Sequence, residues 1–358
     1  MRFSIILASG VLFLSSVALA ARPNCESQFV STTKTSHASR FENFYVEVEN
    51  PDATHRVVFF EKLEAKSGKP TLVLLNGLFV PRQDLQAFRE SFVRQADGEG
   101  LLIVYYSTQM ESLALRHQLE GTAEKNLREE VVASDFGREV ASVLEVSNTT
   151  GPLILVGYSY GGLALAKYLE MLAKGEVELP GPQTRIQESI FLSTLVEASD
   201  EIPLAPAVLA GRSAIESLMK WNPWLGEKSV QQMRLQSARA SAASVVDANL
   251  MGGFRLPDGV DRATMVRALT AQINVAQDFN LRSQARSMNE SSLPRMPGAV
   301  RFLIGGDETA GRSVAQKAAA QAWGVTPEVI LDVPHHALAH KPESVVPILL
   351  KRLTLSSL

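Results

Sequence analysis

Polar and apolar positions alternate from Phe44 to Val48 and recur from Arg56 to Leu63, which predicts two strands. Asn50-Pro51-Asp52 supplies turn chemistry between them, so the pair is expected as an antiparallel hairpin. The pattern then changes. Thr71 to Leu75 is continuously apolar and ends at Asn76-Gly77, as a strand buried on both faces of a parallel sheet does. Further strands are predicted at Leu101 to Tyr106, Leu153 to Val156, Ser189 to Leu195, Val300 to Ile304 and Val329 to Val333. Helical spacing fills the intervals: Asp84 to Arg94, one long helix from Glu120 to Leu144, Gly161 to Leu172, Arg312 to Trp323, and Pro342 to Leu353. Strands alternating with helices imply right-handed crossovers and a mostly parallel central sheet flanked by helices, the α/β class. From Glu197 to Pro297 the strand signal disappears, and Ala, Gln, Ser, Met and Arg recur at helical spacing between proline breaks. The expected organisation is an α/β core of residues 41–196 and 297–358, with a helical cap of residues 197–296 over the ligand-binding edge of the sheet.

The first forty residues stand apart. Arg2 gives a short positive start, an apolar run follows from Ile5 to Leu19, and Ala18-Leu19-Ala20 is an A-x-A cleavage site. Residues 1–20 are therefore expected to be a cleaved signal peptide, and residues 21–40, rich in Ser and Thr, a flexible lead-in. Export to the periplasm or the medium follows as an expectation. No later stretch is long and apolar enough to predict a membrane span. Cys25 is the sole cysteine, which rules out an internal disulfide. Arg22-Pro23-Asn24 precedes it in place of a lipoprotein signal's small apolar run. The formal net charge is −3 and there is no long basic run, so nothing points to nucleic acid.

The chemistry concentrates at Gly157-Tyr158-Ser159-Tyr160-Gly161, followed by Gly162. This G-x-S-x-G run sits between a buried strand and a helix, the context of a nucleophile elbow. Glycines suit the positions two residues either side of the serine, where side chains would crowd the turn. The order of elements, the elbow and the position of the insertion resemble the α/β-hydrolase family, from about Phe44 to the C-terminus.

That resemblance implies a serine hydrolase with residues in the chain order serine, acid, histidine. The acid is expected after the Val300–Ile304 strand, where Gly305-Gly306-Asp307-Glu308 stands; Asp307 is the first choice and Glu308 the fallback. Glu197 and Asp200 offer a second possible acid position. The base is expected after the last strand, at Val333-Pro334-His335-His336. Counting forward from that strand favours His336 and counting back from the Pro342 helix favours His335; His336 is preferred and both stay open. His340 reads as a surface residue. Three close histidines also suggest a metal, but no carboxylate or cysteine set completes a site. For the oxyanion hole, the resemblance implies the backbone amides of Tyr160 and Leu78, with Phe79 as fallback. Asn76 stands where family members often carry His, a departure that leaves the backbone donors in place.

The expected activity is cleavage of carboxylic esters or thioesters through an acyl-enzyme on Ser159, on a small-molecule ester or acyl substrate and with no cofactor. A non-catalytic ligand-binding protein on the same scaffold, or an acyltransferase, is the alternative. Met219, Trp221, Trp224, Leu225, Met233 and Phe254 either pack the cap on the core or line an apolar pocket.

Overall fold

A computed structural model describes residues 41–49, 55–124, 127–128, 131–196, 227–290 and 298–355. The expectations for residues 1–40, the Asn50-Pro51-Asp52 turn, Glu197, Asp200, Met219, Trp221, Trp224 and Leu225 lie outside the described residues.

The strands are β1 (Glu42–Glu49), β2 (His55–Leu63), β3 (Thr71–Leu75), β4 (Gly100–Tyr105), β5 (Pro152–Tyr158), β6 (Arg185–Leu192), β7 (Ala299–Gly305) and β8 (Glu328–Ile330). Among the described residues these form one sheet in the order β1-β2-β4-β3-β5-β6-β7-β8. β2 pairs antiparallel with both β1 and β4, and the remaining pairs are parallel.

β3 shows why such apolar runs become central strands. Successive side chains point to opposite faces. Leu72 and Leu74 pack with Phe88 and Phe92 of α1 (Gln86–Gln95) and with Val345 and Leu349 of α10 (Pro342–Leu355). Val73 and Leu75 join the opposite cluster, with Phe136 and Val140 of α3 (Ala133–Val146) and Leu165 and Leu169 of α4 (Gly161–Lys174). All five β3 residues are buried. Burying a Val or Leu side chain contributes about 1.5–3 kcal/mol, so a strand apolar on both faces is stable only between two helical layers.

Two expected elements are corrected. The predicted helix from Glu120 to Leu144 is instead α2 (Met110–Glu120) followed by α3. Gly121 ends α2 in the left-handed region at φ 73°, which glycine reaches without steric cost. α3 starts afresh where Asp135 accepts the Val132 amide at 3.1 Å. The last strand is also shorter than predicted. β8 ends at Ile330, and Asp332 turns the chain at φ 57°.

Three described helices lie between β6 and β7: α5 (Glu227–Met251), α6 (Arg262–Asp278) and α7 (Leu281–Glu290). Asp261 caps α6 by accepting the Thr264 amide at 2.8 Å. Arg262 grips Asp247 of α5 through two hydrogen bonds of 2.6 and 2.7 Å. The core is reached through Gln272, which donates to the Thr108 carbonyl at 2.9 Å. The final helices are α8 (Ala310–Ala322), the short α9 (Ala337–His340) and α10. No described helix is long and apolar enough to cross a membrane.

β4 and β5 flank β3 on opposite sides, so the chain reverses its direction of winding there. In open α/β sheets the crevice beyond the carboxyl ends of strands at such a point is where ligands bind.

Candidate active site

Ser159 follows β5 directly and has φ 52°, a left-handed conformation uncommon for a residue with a side chain. The turn is held on several sides. The Ser159 amide donates to the Leu192 carbonyl at 3.0 Å, and the Ser159 carbonyl accepts from Leu195 N at 3.0 Å and Thr194 Oγ1 at 3.1 Å. Close approach explains the glycine that follows. A β-carbon on Gly161 would collide with the Leu75 carbonyl.

The Ser159 hydroxyl meets His335, with Oγ and Nε2 2.9 Å apart. On the far side of the ring, His335 Nδ1 lies 3.0 Å from Glu308 Oε1. Glu308 is wholly buried and the His335 side chain nearly so. Tyr158, the residue before the serine, donates its hydroxyl to the His335 carbonyl at 3.0 Å. Burial pushes the Glu308 carboxyl up. The His335 hydrogen bond and charge, the neighbouring Ser193 hydroxyl and Arg312 outweigh it, so Glu308 sits below its ordinary value.

The structure thus joins Ser159, His335 and Glu308, and leaves the two first choices, Asp307 and His336, outside. Asp307 is exposed, and its backbone amide donates to the Val333 carbonyl at 3.1 Å. The next residue, Glu308, points inward. His336 is exposed, its ring nearly perpendicular to that of His335 at 83°. β8 ends at Ile330, three residues before the expected end, so the forward count from Val333 that favoured His336 starts from a residue outside the strand. His340 is exposed.

The loop after β3 closes the other side. A β-carbon on Gly77 would lie 3.3 Å from Ser159 Cβ, so this loop passes directly beside the serine. The Gly77 amide is committed to Asn76 Oδ1 at 2.9 Å. The amides of Leu78, Phe79 and Tyr160 have no acceptor among the described residues. Tyr160 N is one of the unpaired donors at the start of α4, where the helix dipole favours negative charge. Phe254, from the connection between α5 and α6, lies against Phe79 with ring centroids 5.5 Å apart. Met233 is half-buried on α5.

The model of the alpha/beta hydrolase family matches residues 72–348, more than half of the chain. The chain belongs to the alpha/beta hydrolase family. Solved structures agree on the fold at low sequence identity. A carboxylesterase of the thaumarchaeon Nitrososphaera gargenis is 12% identical with a TM-score of 0.51, covering 87% of this chain and 98% of its own. A haloalkane dehalogenase variant from Bradyrhizobium elkanii is 10% identical with a TM-score of 0.51, covering 88% and 97%. A hydrolase from Agrobacterium vitis is 14% identical with a TM-score of 0.50, covering 89% and 99%. No curated protein matches the sequence.

In this alpha/beta hydrolase several supporting residues carry no sequence signal. The Tyr158 hydroxyl and the His335 carbonyl lie 177 positions apart in the chain. Gln109 donates to the Gly77 carbonyl at 2.6 Å across 32 positions. Neither pairing belongs to a motif. No group of three or more His, Cys, Asp or Glu that could hold a metal occurs among the described residues.

Proposed function

We propose that the protein is an exported serine hydrolase that cleaves carboxylic esters or thioesters, with residues 197–296 as a cap over the substrate. The observation that carries this is the hydrogen-bonded series Ser159 Oγ, His335 Nε2, His335 Nδ1 and Glu308 Oε1, at 2.9 and 3.0 Å. A serine hydroxyl is a weak nucleophile until a base removes its proton, and an imidazole needs a carboxylate to fix its tautomer.

His335 Nε2 takes the proton as Ser159 Oγ attacks the substrate carbonyl. The amides of Tyr160 and Leu78 hold the negative oxygen of the tetrahedral intermediate. His335 passes its proton to the leaving alcohol or thiol as the C–O or C–S bond breaks, which leaves an acyl-serine. A water then gives its proton to His335 and attacks the acyl carbon. Collapse of the second intermediate returns the proton to Ser159 and frees the acid. Glu308 stays ionised throughout and accepts from Nδ1–H.

The test is labelling by a fluorophosphonate, with turnover of p-nitrophenyl acetate and octanoate, for the mature chain beside Ser159→Ala and His335→Ala. Wild type is expected to label and turn over, and both variants to do neither. A folded wild type inert to both would overturn the proposal in favour of ligand binding without catalysis. Ester products formed with added alcohols would indicate acyl transfer to an acceptor other than water.

A further inference from the structure

The strand-to-helix loop that runs past Ser159 departs from the family at its first residue. Asn76 stands where a histidine is common, and its side chain is fully buried. Its amide spans the loop: Nδ2 donates to the Val80 carbonyl at 2.8 Å and Oδ1 accepts the Gly77 amide at 2.9 Å. A second carboxamide completes the arrangement. Gln109, also buried, donates Nε2 to the Gly77 carbonyl at 2.6 Å, while its Oε1 accepts the Tyr106 amide at 2.9 Å.

The Gly77 carbonyl and the Leu78 amide belong to one peptide unit. In a trans peptide the C=O and N–H point in opposite directions. Whatever holds the Gly77 oxygen therefore sets where the Leu78 N–H aims. A hydrogen bond donated to the carbonyl also polarises the unit and strengthens its N–H as a donor. The loop needs such fixing, because Phe79 is held at φ 52° without being glycine.

We propose that Gln109, with Asn76, is a positioning residue that aims and polarises the Leu78 amide toward the oxyanion. This rests on the reading of Ser159 as nucleophile and adds a role for two side chains that touch no reacting atom. Both amides use their two ends at once, which a carboxylate of the same shape cannot do.

The experiment compares wild type with Gln109→Glu, Gln109→Met and Asn76→Asp, after thermal unfolding has established which variants fold. The readouts are kcat and KM for a p-nitrophenyl ester and the Kd of an alkyl boronic acid, which forms a tetrahedral adduct on the serine. Loss of one oxyanion donor costs about 100- to 1,000-fold in kcat. A misaimed donor is expected to cost about 10- to 100-fold, with KM little changed and boronic-acid affinity falling in step with kcat. Gln109→Glu combined with Asn76→Asp should cost less than the product of the single losses, because both act on one loop. Folded Gln109 variants that keep wild-type kcat and boronic-acid affinity would overturn the proposal. Failure of both Gln109 variants to fold would make the residue structural and overturn it too. A wild type that neither turns over nor labels with fluorophosphonate would instead remove the reading of Ser159 on which it rests.

Discussion

Two buried glutamates, Glu61 on β2 and Glu308 beyond β7, are equally hidden from solvent and differently served. Glu61 Oε1 accepts from Arg82 Nε at 2.7 Å and Arg89 at 2.6 Å, and Oε2 accepts the Tyr105 hydroxyl at 2.8 Å. Both of its oxygens are used, and two guanidiniums balance its charge. Glu308 meets the His335 ring through Oε1, its second oxygen has no hydrogen-bond partner among the described residues, and the Ser193 hydroxyl and Arg312 add smaller contributions that favour its charged form. A saturated carboxylate locks elements together. A carboxylate served by one imidazole stabilises positive charge on that ring when the ring takes a proton. Burial alone distinguishes neither role; the partners do.

The contrast predicts opposite losses at the two places. Ser159→Ala and His335→Ala should each cost about 10⁵-fold or more in kcat, with the melting temperature little changed. Steady-state kinetics beside differential scanning calorimetry checks both halves. Glu308→Gln should cost about 10³- to 10⁴-fold. Its sign with pH follows from the lowered Glu308 value. The carboxylate remains charged at neutral pH and loses its contribution only as pH falls through that value. The ratio of wild-type to Glu308→Gln kcat/KM should therefore stay level from roughly pH 8 to 5 and shrink below.

Glu61→Ala reverses the pattern. It removes the carboxylate from the largely buried Arg89 and from the Tyr105 hydroxyl and should destabilise by about 3 kcal/mol in urea unfolding, while the folded fraction keeps its kcat. A third acid, Glu111, sharpens the point. Burial raises its carboxyl to about 7 despite the Arg82 amide it accepts at 2.6 Å. A raised value means the folded protein binds a proton the unfolded chain releases, so stability falls as pH rises from about 4.5 to 7. Glu111→Gln should therefore stabilise by about 1–3 kcal/mol at pH 8 and by little at pH 5, measured by denaturant unfolding at each pH. The smallest effects belong to Asp307→Asn and His336→Ala. Both side chains are exposed, and stability should stay within about 0.5 kcal/mol with activity near wild type.

Much of this was legible in the chain and some was not, and the division has a physical basis. The apolar runs at β3, β4 and β5 mark central strands because only side chains hidden on both faces read as unbroken hydrophobic stretches. The elbow is legible because its glycines answer to contacts with fixed backbone, such as the Leu75 carbonyl against Gly161. Elements of weaker pattern misled. The stretch from Glu120 to Leu144 reads at helical spacing across Gly121, yet α2 ends at its first residue and α3 begins only at Ala133.

Pattern along the chain sufficed for the sheet, for the strand-to-helix turn at Ser159, and for the two loops that bring Glu308 and His335 to it. Choosing within each loop was beyond it. Asp307 and Glu308 are adjacent, as are His335 and His336, and each pair offers similar chemistry. Which member faces inward is fixed by the backbone of each loop, and for the histidines that backbone leaves β8 at Ile330 and turns at Asp332. That turn is judged against Ser159, 176 positions away from His335. Local periodicity describes which side chains share a face of one element, whereas the meeting of loops from different strands is settled by packing of the whole sheet.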